Sequence, residues 1–250
     1  MRVSSHAARR RRRSAAPLAL GLLVLTAAVL LTRLWPAAAP TTDIKTGETV
    51  KTNNVVVHPE DAWMLTLVNA DHPIEGDPEI KLTTLKNGHS IDTRAYPSLQ
   101  RMMDDARAAG LSPLICSSYR TTAMQTELFR NKVSYYTAQG NAQAQAEELA
   151  AHWVARPGTS EHQLGLAVDI VAESYQLLDE QQEQTAEQQW LIENCADYGF
   201  ILRYPTDKSE LTGVGYEPWH YRYVGETAAK EIMAQDVCLE EYLGEAGKTA

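Results

Sequence analysis

The sequence is poor in cysteine, and the few cysteines it has restrict its covalent and metal chemistry. The 250 residues include only Cys116, Cys195 and Cys238. The odd number allows at most one disulfide within the chain, and the wide spacings match no zinc knuckle. Two alternatives stay open, namely three buried free thiols or a single bridge between Cys195 and Cys238.

Basic residues are also scarce once the first part of the chain is set aside. Seven of the 23 lysine and arginine residues are arginines within residues 1–33, a stretch without any acidic residue. The rest of the chain therefore carries 16 basic against 32 acidic residues, a balance of −16. Binding to phosphate backbones needs clustered lysine and arginine. The composition therefore argues against nucleic acid as a partner.

The basic N-terminal segment has the pattern of an export signal. The arginines at residues 9–13 precede an apolar run over residues 15–31,. That run is at the short limit for crossing a bilayer, and the arginines would remain on the cytoplasmic side. The sequence AAA at residues 37–39 resembles a signal-peptidase site, and no cysteine stands there to accept a lipid. An uncleaved membrane anchor and a cleaved signal both stay open, and both place the acidic remainder outside the cytoplasm.

The remainder of the chain divides into a linker and one domain. Residues 36–54 are rich in Thr, Ala, Lys and Gly without apolar periodicity, which is typical of a linker,. We predict a domain over residues 55–245, preceded by a basic segment with a signal or anchor at residues 1–35 and followed by a tail at residues 246–250. The domain mixes strands and helices without regular βαβ alternation and without an internal repeat, so we predict an α+β fold.

Local patterns predict individual elements of this domain. The run WMLTLV at residues 63–68 predicts the first strand,. Pro97 and Gly110 bound a stretch in which apolar residues repeat at helical spacing, so we predict a helix between them. The apolar run at residues 167–171 predicts a buried strand, which would hold Asp169 rigidly.

Two segments combine residue types that bind metal ions. The sequence SEHQLGLAVD at residues 160–169 places His162 and Asp169 seven positions apart, and EPWH at residues 217–220 adds His220. Two histidines and an aspartate match the three protein ligands of a catalytic zinc site, which keeps a fourth position open. A lone histidine is more often structural than a ligand. Asp169 favours the metal site nevertheless, because a carboxylate on an apolar strand requires a partner.

Two further residues are candidates for proton transfer and for substrate binding. Glu217 lies three positions before His220 and could take a proton from a water and return it to a leaving amine,. Pro218 disfavours helix at Glu217, so we predict an extended segment rather than an HExxH helix. Arg120 follows a strand end and precedes a helix, and arginine holds a carboxylate by two parallel hydrogen bonds. A surface salt bridge is the alternative role for Arg120.

Five ordered motifs are together far more specific than any one of them. They are IDTR at residues 91–94, SYR at residues 118–120 with Gln125 after it, SEHQLGLAVD at residues 160–169, GFILRYP at residues 199–205 and EPWHYRYVG at residues 217–225. With these motifs the sequence resembles the VanY-type D-alanyl-D-alanine carboxypeptidases, zinc peptidases that trim bacterial cell-wall peptides. The resemblance runs from about residue 67 to residue 243. It implies the small α+β domain shared with lysostaphin-like peptidases and the Hedgehog signalling domain, with a small antiparallel sheet flanked by helices.

The resemblance also implies the roles of the metal-site residues. One Zn²⁺ would be held by His162, Asp169 and His220, with Glu217 as the general base. The sequence departs from the family pattern at none of these positions.

A substrate pocket is implied beside the metal. Arg120 would bind the terminal carboxylate of the substrate, and Gln125, Ser160 and Tyr204 would line the same pocket. The implied reaction removes the C-terminal D-alanine from peptidoglycan stem peptides, and we expect a monomer.

Other functions stay open on the sequence alone. An L,D-carboxypeptidase acting on tetrapeptide stems or a D,D-dipeptidase would use the same catalytic residues. Export argues against the dipeptidase, whose free dipeptide substrate is cytoplasmic. A non-catalytic cell-wall-binding module is expected to have lost Glu217 or a metal ligand, and all of these residues are present.

Overall fold

The computed structural model describes residues 57–74 and 76–245, and in them strands and helices are mixed as the predicted α+β class requires. Two short antiparallel sheets are flanked by helices and by three 3₁₀ turns. The strands are β1 Leu82–Thr84, β2 Ser90–Asp92, β3 Pro113–Ser117, β4 Ala167–Ala172, β5 Phe200–Leu202 and β6 His220–Tyr223. The helices are α1 Tyr96–Ala108, α2 Thr122–Ala138, α3 Gln143–Ala151, α4 Ala186–Asn194, α5 Ser209–Thr212, α6 Glu226–Gln235 and α7 Leu239–Tyr242. The 3₁₀ turns are Glu161–Leu164, Glu180–Gln184 and Cys195–Tyr198.

The larger sheet has four antiparallel strands in the order β3-β4-β6-β5. One of its two inner strands, β4, is buried along its whole length. In the register of β4 with β6, Asp169 lies directly opposite His220. Directly opposed residues in antiparallel strands have Cβ atoms about 4.5–5.5 Å apart. The strand register therefore sets two of the predicted metal ligands side by side.

The main core anchors β4 against two helices. Leu99 of α1 and Leu191 of α4 belong to one buried cluster with Val168 and Ile170 of β4. Burial of each such side chain contributes about 1.5–3 kcal/mol. Because neighbouring side chains of a strand point to opposite faces, Asp169 is turned away from this core. The result is a rigid strand that presents a carboxylate on its other face.

One glycine connects the two sheets at the metal-site segment. Gly165 ends the 3₁₀ turn that contains His162. Its φ is +66°, a backbone conformation that residues other than glycine rarely adopt,. Its carbonyl oxygen accepts a hydrogen bond of 2.8 Å from the amide of Asp92 in β2. An added Cβ would lie 3.2 Å from that amide nitrogen and 3.3 Å from Leu82 Cδ2. The chain therefore turns from His162 into β4 only through a residue without a side chain.

Several predicted elements are confirmed, and one is wrong. The helix between Pro97 and Gly110 and the buried strand at residues 167–171 are present as α1 and β4. Residues 63–68 form no strand, because Asp61 O accepts hydrogen bonds from the amides of Met64 and Leu65 and curls the segment into a turn. Met64, Leu65 and Leu67 of this segment contribute to the core without strand pairing, since they pack with residues of α6 and α7.

The three cysteines are free thiols, so the alternative bridge between Cys195 and Cys238 does not form. Burial raises the pKa of each thiol to about 12, which keeps all three protonated and unreactive,.

The predicted signal or anchor, linker and tail lie outside the described residues. Among residues 57–74 and 76–245, no helix combines the length and the apolar character that a membrane span needs.

Candidate active site

The structure brings the three predicted metal ligands together. His162 lies in the 3₁₀ turn Glu161–Leu164, Asp169 in β4 and His220 at the start of β6. One ligand atom from each lies within 4.8 Å of the others, and all three side chains are buried. Two imidazole nitrogens and a carboxylate oxygen form the donor set of a catalytic zinc site. The residues present therefore fit a zinc ion.

The orientation of each ring shows which nitrogen is directed at the site. His162 Nδ1 lies 2.8 Å from the carbonyl oxygen of Ser118, to which it donates, so Nε2 is left facing Asp169 Oδ2 at 3.3 Å. His220 instead directs Nδ1 at Asp169 Oδ1, at 3.0 Å. The two rings meet edge to face, with centroids 4.9 Å apart. The cluster thus uses Nε2 of one histidine and Nδ1 of the other.

The electrostatic surroundings of the two histidines differ. Burial lowers the pKa of His162 to about 4, and the nearby Arg120 guanidinium adds to that effect. Burial would also lower the pKa of His220, but the hydrogen bond to Asp169 and the nearby carboxylate of Glu161 outweigh it and raise the pKa to about 9. Burial would raise the pKa of Asp169, and the two histidines hold it well below its usual range. Asp169 is therefore an anionic carboxylate shared by both rings.

Glu217 is placed beside this cluster by a tight turn. The amide of His220 donates to the carbonyl oxygen of Glu217 at 3.1 Å, which replaces the predicted extended segment by a turn and shows that the pair is not on a helix. Glu217 Oε2 lies 3.7 Å from His220 Nδ1. Burial raises the pKa of Glu217 to about 8, and Asp169 adds to the rise while His220 opposes it. A carboxylate with such a pKa can exchange a proton near neutral pH.

Arg120 lines the cleft and also contacts a metal ligand. Its Nη2 donates to Asp169 Oδ2 at 2.8 Å and to Ser117 Oγ at 2.6 Å, and its Nε donates to the same Ser117 Oγ. Its Nη1 donates to Gln125 Oε1 at 3.2 Å. A guanidinium has five N–H donors, so these four bonds leave one N–H, on Nη1, for a substrate. Two parallel bonds to a carboxylate would require Arg120 to give up one present contact.

The three residues predicted to line the substrate pocket differ in position. Ser160 and Tyr204 lie in the wall of a cleft of about 210 Å³ that also contains the metal ligands, Glu217 and Arg120. The Tyr204 ring lies 4.8 Å from the His220 ring. Gln125 is fully buried beneath Arg120, and its amide nitrogen donates to Ala155 O at 2.7 Å. Gln125 therefore orients Arg120 and does not form part of the cleft surface.

The rest of the cleft wall is largely apolar. It is formed by Leu128, Trp153, Leu178 and Trp219, with Lys132 as an additional cation. A larger cavity, about 510 Å³, lies between α1 and the β1–β2 turn. The charged residues that line it, Lys86, Asp104 and Arg107, are all exposed to solvent. The chemistry is therefore assigned to the smaller cleft, where the ionisable groups are buried.

Sequence reasoning missed a buried ion cluster behind the metal site. Arg203 directly follows the edge strand β5, Arg222 lies in the inner strand β6, and both side chains are inaccessible to solvent. Each donates to Glu161 Oε1 at 2.7 Å, and Arg203 also donates to Glu240 at 2.6 and 2.9 Å. The sequence does contain a signal for this cluster, because the motifs GFILRYP and EPWHYRYVG each place an arginine, Arg203 and Arg222, among apolar and aromatic residues. A buried arginine requires a buried anion as its partner.

Comparison with known proteins agrees with this geometry. The family model described as VanY, D-alanyl-D-alanine carboxypeptidase, matches residues 88–226. A D-alanyl-D-alanine carboxypeptidase of Enterococcus faecalis (strain ATCC 700802 / V583) is 50% identical over 184 residues, which cover 74% of this chain and 67% of that protein.

Two solved structures are similar over 72% of this chain at 51% identity. One is a mutant of a vancomycin-resistance D,D-pentapeptidase, VanY, from a VanB-type cassette in complex with Zn(II), with a TM-score of 0.66 and 99% of that chain covered. The other is VanYB in complex with D-alanine-D-alanine, with a TM-score of 0.67 and 97% of that chain covered. With its ligand cluster, its buried glutamate and these relatives, the chain belongs to the VanY family of D-alanyl-D-alanine carboxypeptidases.

Proposed function

We propose that the protein is a zinc-dependent D-alanyl-D-alanine carboxypeptidase that removes the C-terminal D-alanine from peptidoglycan stem peptides. The observation that carries the proposal is the position of Glu217. This buried carboxylate, with a pKa raised to about 8, lies in one cleft with a three-ligand cluster and with Arg120. The family membership and the D-alanine-D-alanine complex of the similar VanYB structure support the same substrate.

The chain's own residues account for substrate orientation. His162, Asp169 and His220 would hold the zinc, which polarises a carbonyl and lowers the pKa of water towards about 7,. The free Nη1–H of Arg120 would bind the terminal carboxylate of the stem,. This contact selects a free C-terminus and places the last peptide bond in the cleft.

Glu217 would then carry the proton through the reaction. It accepts a proton from the attacking water and returns it to the nitrogen of the departing D-alanine, so the carboxylate is regenerated. Burial of Glu217 supports this role, because a carboxylate with a raised pKa is a stronger base for water and still releases the proton afterwards.

The experiment that tests the proposal names the bond that is cut. The purified protein is incubated with zinc, or with a chelator, on pentapeptide stems ending in D-Ala-D-Ala and on tetrapeptide stems, and the products are identified by mass spectrometry. We expect D-alanine release from the pentapeptide only, and only with zinc. Release from the tetrapeptide alone would support the L,D-carboxypeptidase instead, and release from neither would contradict carboxypeptidase activity.

We also propose that the enzyme works outside the cytoplasm as a monomer, either anchored through residues 1–35 or released after cleavage there. The basic and apolar composition of that segment supports this location, as does a cell-wall substrate,. Cell fractionation of a C-terminally tagged chain distinguishes a membrane-bound from a released protein. Recovery in the cytoplasmic fraction would contradict the proposal, and light scattering of the purified protein tests the monomer.

A further inference from the structure

A buried carboxylate, Glu161, faces the metal-site ring of His220 from behind. His220 Nδ1 is directed at Asp169, and its other nitrogen, Nε2, lies 3.6 Å from Glu161 Oε2. Within the described part of the chain, these two atoms are the only buried side-chain nitrogen or oxygen atoms without a hydrogen-bond partner. The two unsatisfied atoms of this region therefore face each other.

The position of Glu161 is fixed by strands on the same sheet as His220. Its other oxygen, Oε1, accepts hydrogen bonds of 2.7 Å from Arg203 and from Arg222, and all three side chains are fully buried. A buried acceptor left without a donor costs about 1–3 kcal/mol. A small movement of the His220 ring that brings its Nε2–H to Glu161 Oε2 would remove this cost.

We propose that Glu161 is a positioning residue for the metal centre: it accepts a hydrogen bond from Nε2–H of His220 and so holds the tautomer that presents Nδ1 to the metal. The inference rests on the zinc-dependent function proposed above. His162 has the matching arrangement, because its Nδ1 donates to Ser118 O and leaves Nε2 for the metal. Such outer partners of ligating histidines fix the ring and its tautomer.

A matched pair of substitutions separates positioning from stability. In Glu161→Gln the side-chain oxygen can still accept from the two arginines, but the amide then directs an N–H at His220 Nε2 and favours the wrong tautomer. Glu240→Gln removes the negative charge of the other carboxylate that binds Arg203, and the contacts of Glu240 are with Arg203 and Asn69 rather than with the His220 ring. Both variants disturb the same ion cluster, and only one touches the ring.

Zinc affinity is measured for each variant by competition with a chromophoric chelator, with the thermal midpoint of the metal-free protein recorded alongside. We expect Glu161→Gln to weaken zinc binding about 10–100-fold, and Glu240→Gln to change it by less than about threefold while lowering the thermal midpoint. Unchanged affinity in Glu161→Gln, or an equal loss in both variants, would overturn the proposal.

Imidazole ¹⁵N NMR of the zinc-loaded wild-type protein gives an independent answer if Glu161→Gln does not fold. We expect a proton on Nε2 of His220 and ligation through Nδ1, whereas ligation through Nε2 would overturn the proposal. A protein that binds zinc in this manner but cuts neither stem peptide would leave this inference standing and refute the proposed function. The two conclusions can therefore fail separately.

Discussion

At the scale of single residues, Asp169 contacts more of the site than any single motif would suggest, because its two oxygens face three other site residues. Its Oδ1 faces His220, and its Oδ2 is shared between His162 and Arg120. One carboxylate therefore contacts both rings of the proposed metal site and the cation that we propose binds the substrate. We expect a substitution of Asp169 to disturb metal binding and substrate binding together, so the two functions are better separated at Glu217 and Arg120.

The first prediction concerns proton transfer by Glu217. Glu217→Ala should keep stoichiometric zinc, because the three ligands are unchanged, and lose about 10²–10⁴-fold in kcat. Metal content by mass spectrometry and turnover of a pentapeptide stem check the two parts. Near-normal turnover in a zinc-loaded variant would remove the general-base role from Glu217.

The second prediction concerns recognition of the free C-terminus by Arg120. Arg120→Ala should lower kcat/KM on a pentapeptide stem by about 10–100-fold, since a hydrogen bond to a charged group contributes about 1.5–3 kcal/mol. A stem with an amidated C-terminus serves as the control. On the amidated stem, kcat/KM of the wild-type enzyme should fall by about as much as the Arg120→Ala substitution lowers it on the free acid. For Arg120→Ala, kcat/KM should be nearly the same on the amidated stem as on the free acid. Equal discrimination between acid and amide by both enzymes would contradict the contact.

The clustering of His162, Asp169 and His220 was predictable from sequence, because these residues belong to short motifs with the spacing of a metal site. His162 and Asp169 are seven residues apart, and Glu217 precedes His220 by three. The contact between Arg120 and Asp169 was not predictable, because it joins residues 49 positions apart through the pairing of β3 with β4. Spacing within a motif reports local geometry only.

At the scale of elements, the antiparallel pairing of β4 with β6 and the turn at Gly165 place the ligands. The pairing of β4 with β6 sets Asp169 opposite His220, and the turn at Gly165 brings His162 to them. The helix bounded by Pro97 and Gly110 was predictable, because proline and glycine mark its two ends and an apolar stripe runs between them. The turn at residues 63–68, where we predicted a strand, was not predictable, because an apolar run alone does not distinguish a strand from a buried turn.

The third prediction tests the turn at Gly165. Gly165→Ala should lower the free energy of unfolding by about 1–2 kcal/mol for the left-handed conformation, with a further loss because the new Cβ meets Asp92 N and Leu82. Gly213→Ala is the control, since its φ is +74° and open space surrounds its Cβ position. Urea unfolding of both variants measures the difference. Equal destabilisation would show that contact with the β1–β2 sheet contributes nothing.

At the scale of the whole molecule, the buried ion cluster connects distant parts of the chain. Glu161 precedes the first metal ligand, Arg203 follows β5 and Glu240 lies in α7. Burial would raise the pKa of Glu240, but Arg203 outweighs this and lowers it. A carboxyl group with a lowered folded-state pKa adds stability above its unfolded value of about 4.3, and that stability is lost as the pH falls through the folded value.

The fourth prediction follows from the lowered pKa of Glu240. Glu240→Gln should be less stable than wild type by about 1–3 kcal/mol at pH 7. The difference should shrink as the pH falls below about 4, where the Glu240 carboxyl group is protonated first in the unfolded chain and then, at lower pH, in the folded protein. Urea midpoints measured at several pH values between 7 and 3 check this. A difference that stays constant over the whole range would show that the Glu240 charge is irrelevant to stability.

The fifth prediction concerns removal of the metal. Zinc that binds only the folded state should stabilise it by about 4 kcal/mol at a free concentration of a thousand times Kd. For a domain of this size, each kcal/mol corresponds to about 2–4 °C in Tm. Calorimetry with zinc and with a chelator measures the shift. An unchanged Tm would mean that the cluster His162, Asp169 and His220 does not bind zinc in the folded protein.

The register of β4 and β6 also has a consequence for folding, because only one register places Asp169 opposite His220. A slip of one residue turns every side chain of a strand to the opposite face, so a chain with slipped strands would direct Asp169 into the core and could not assemble the ligands. Only correctly paired molecules gain the binding energy of the ion. Zinc present during folding would therefore favour chains whose β4 and β6 are correctly paired over chains with a slipped register.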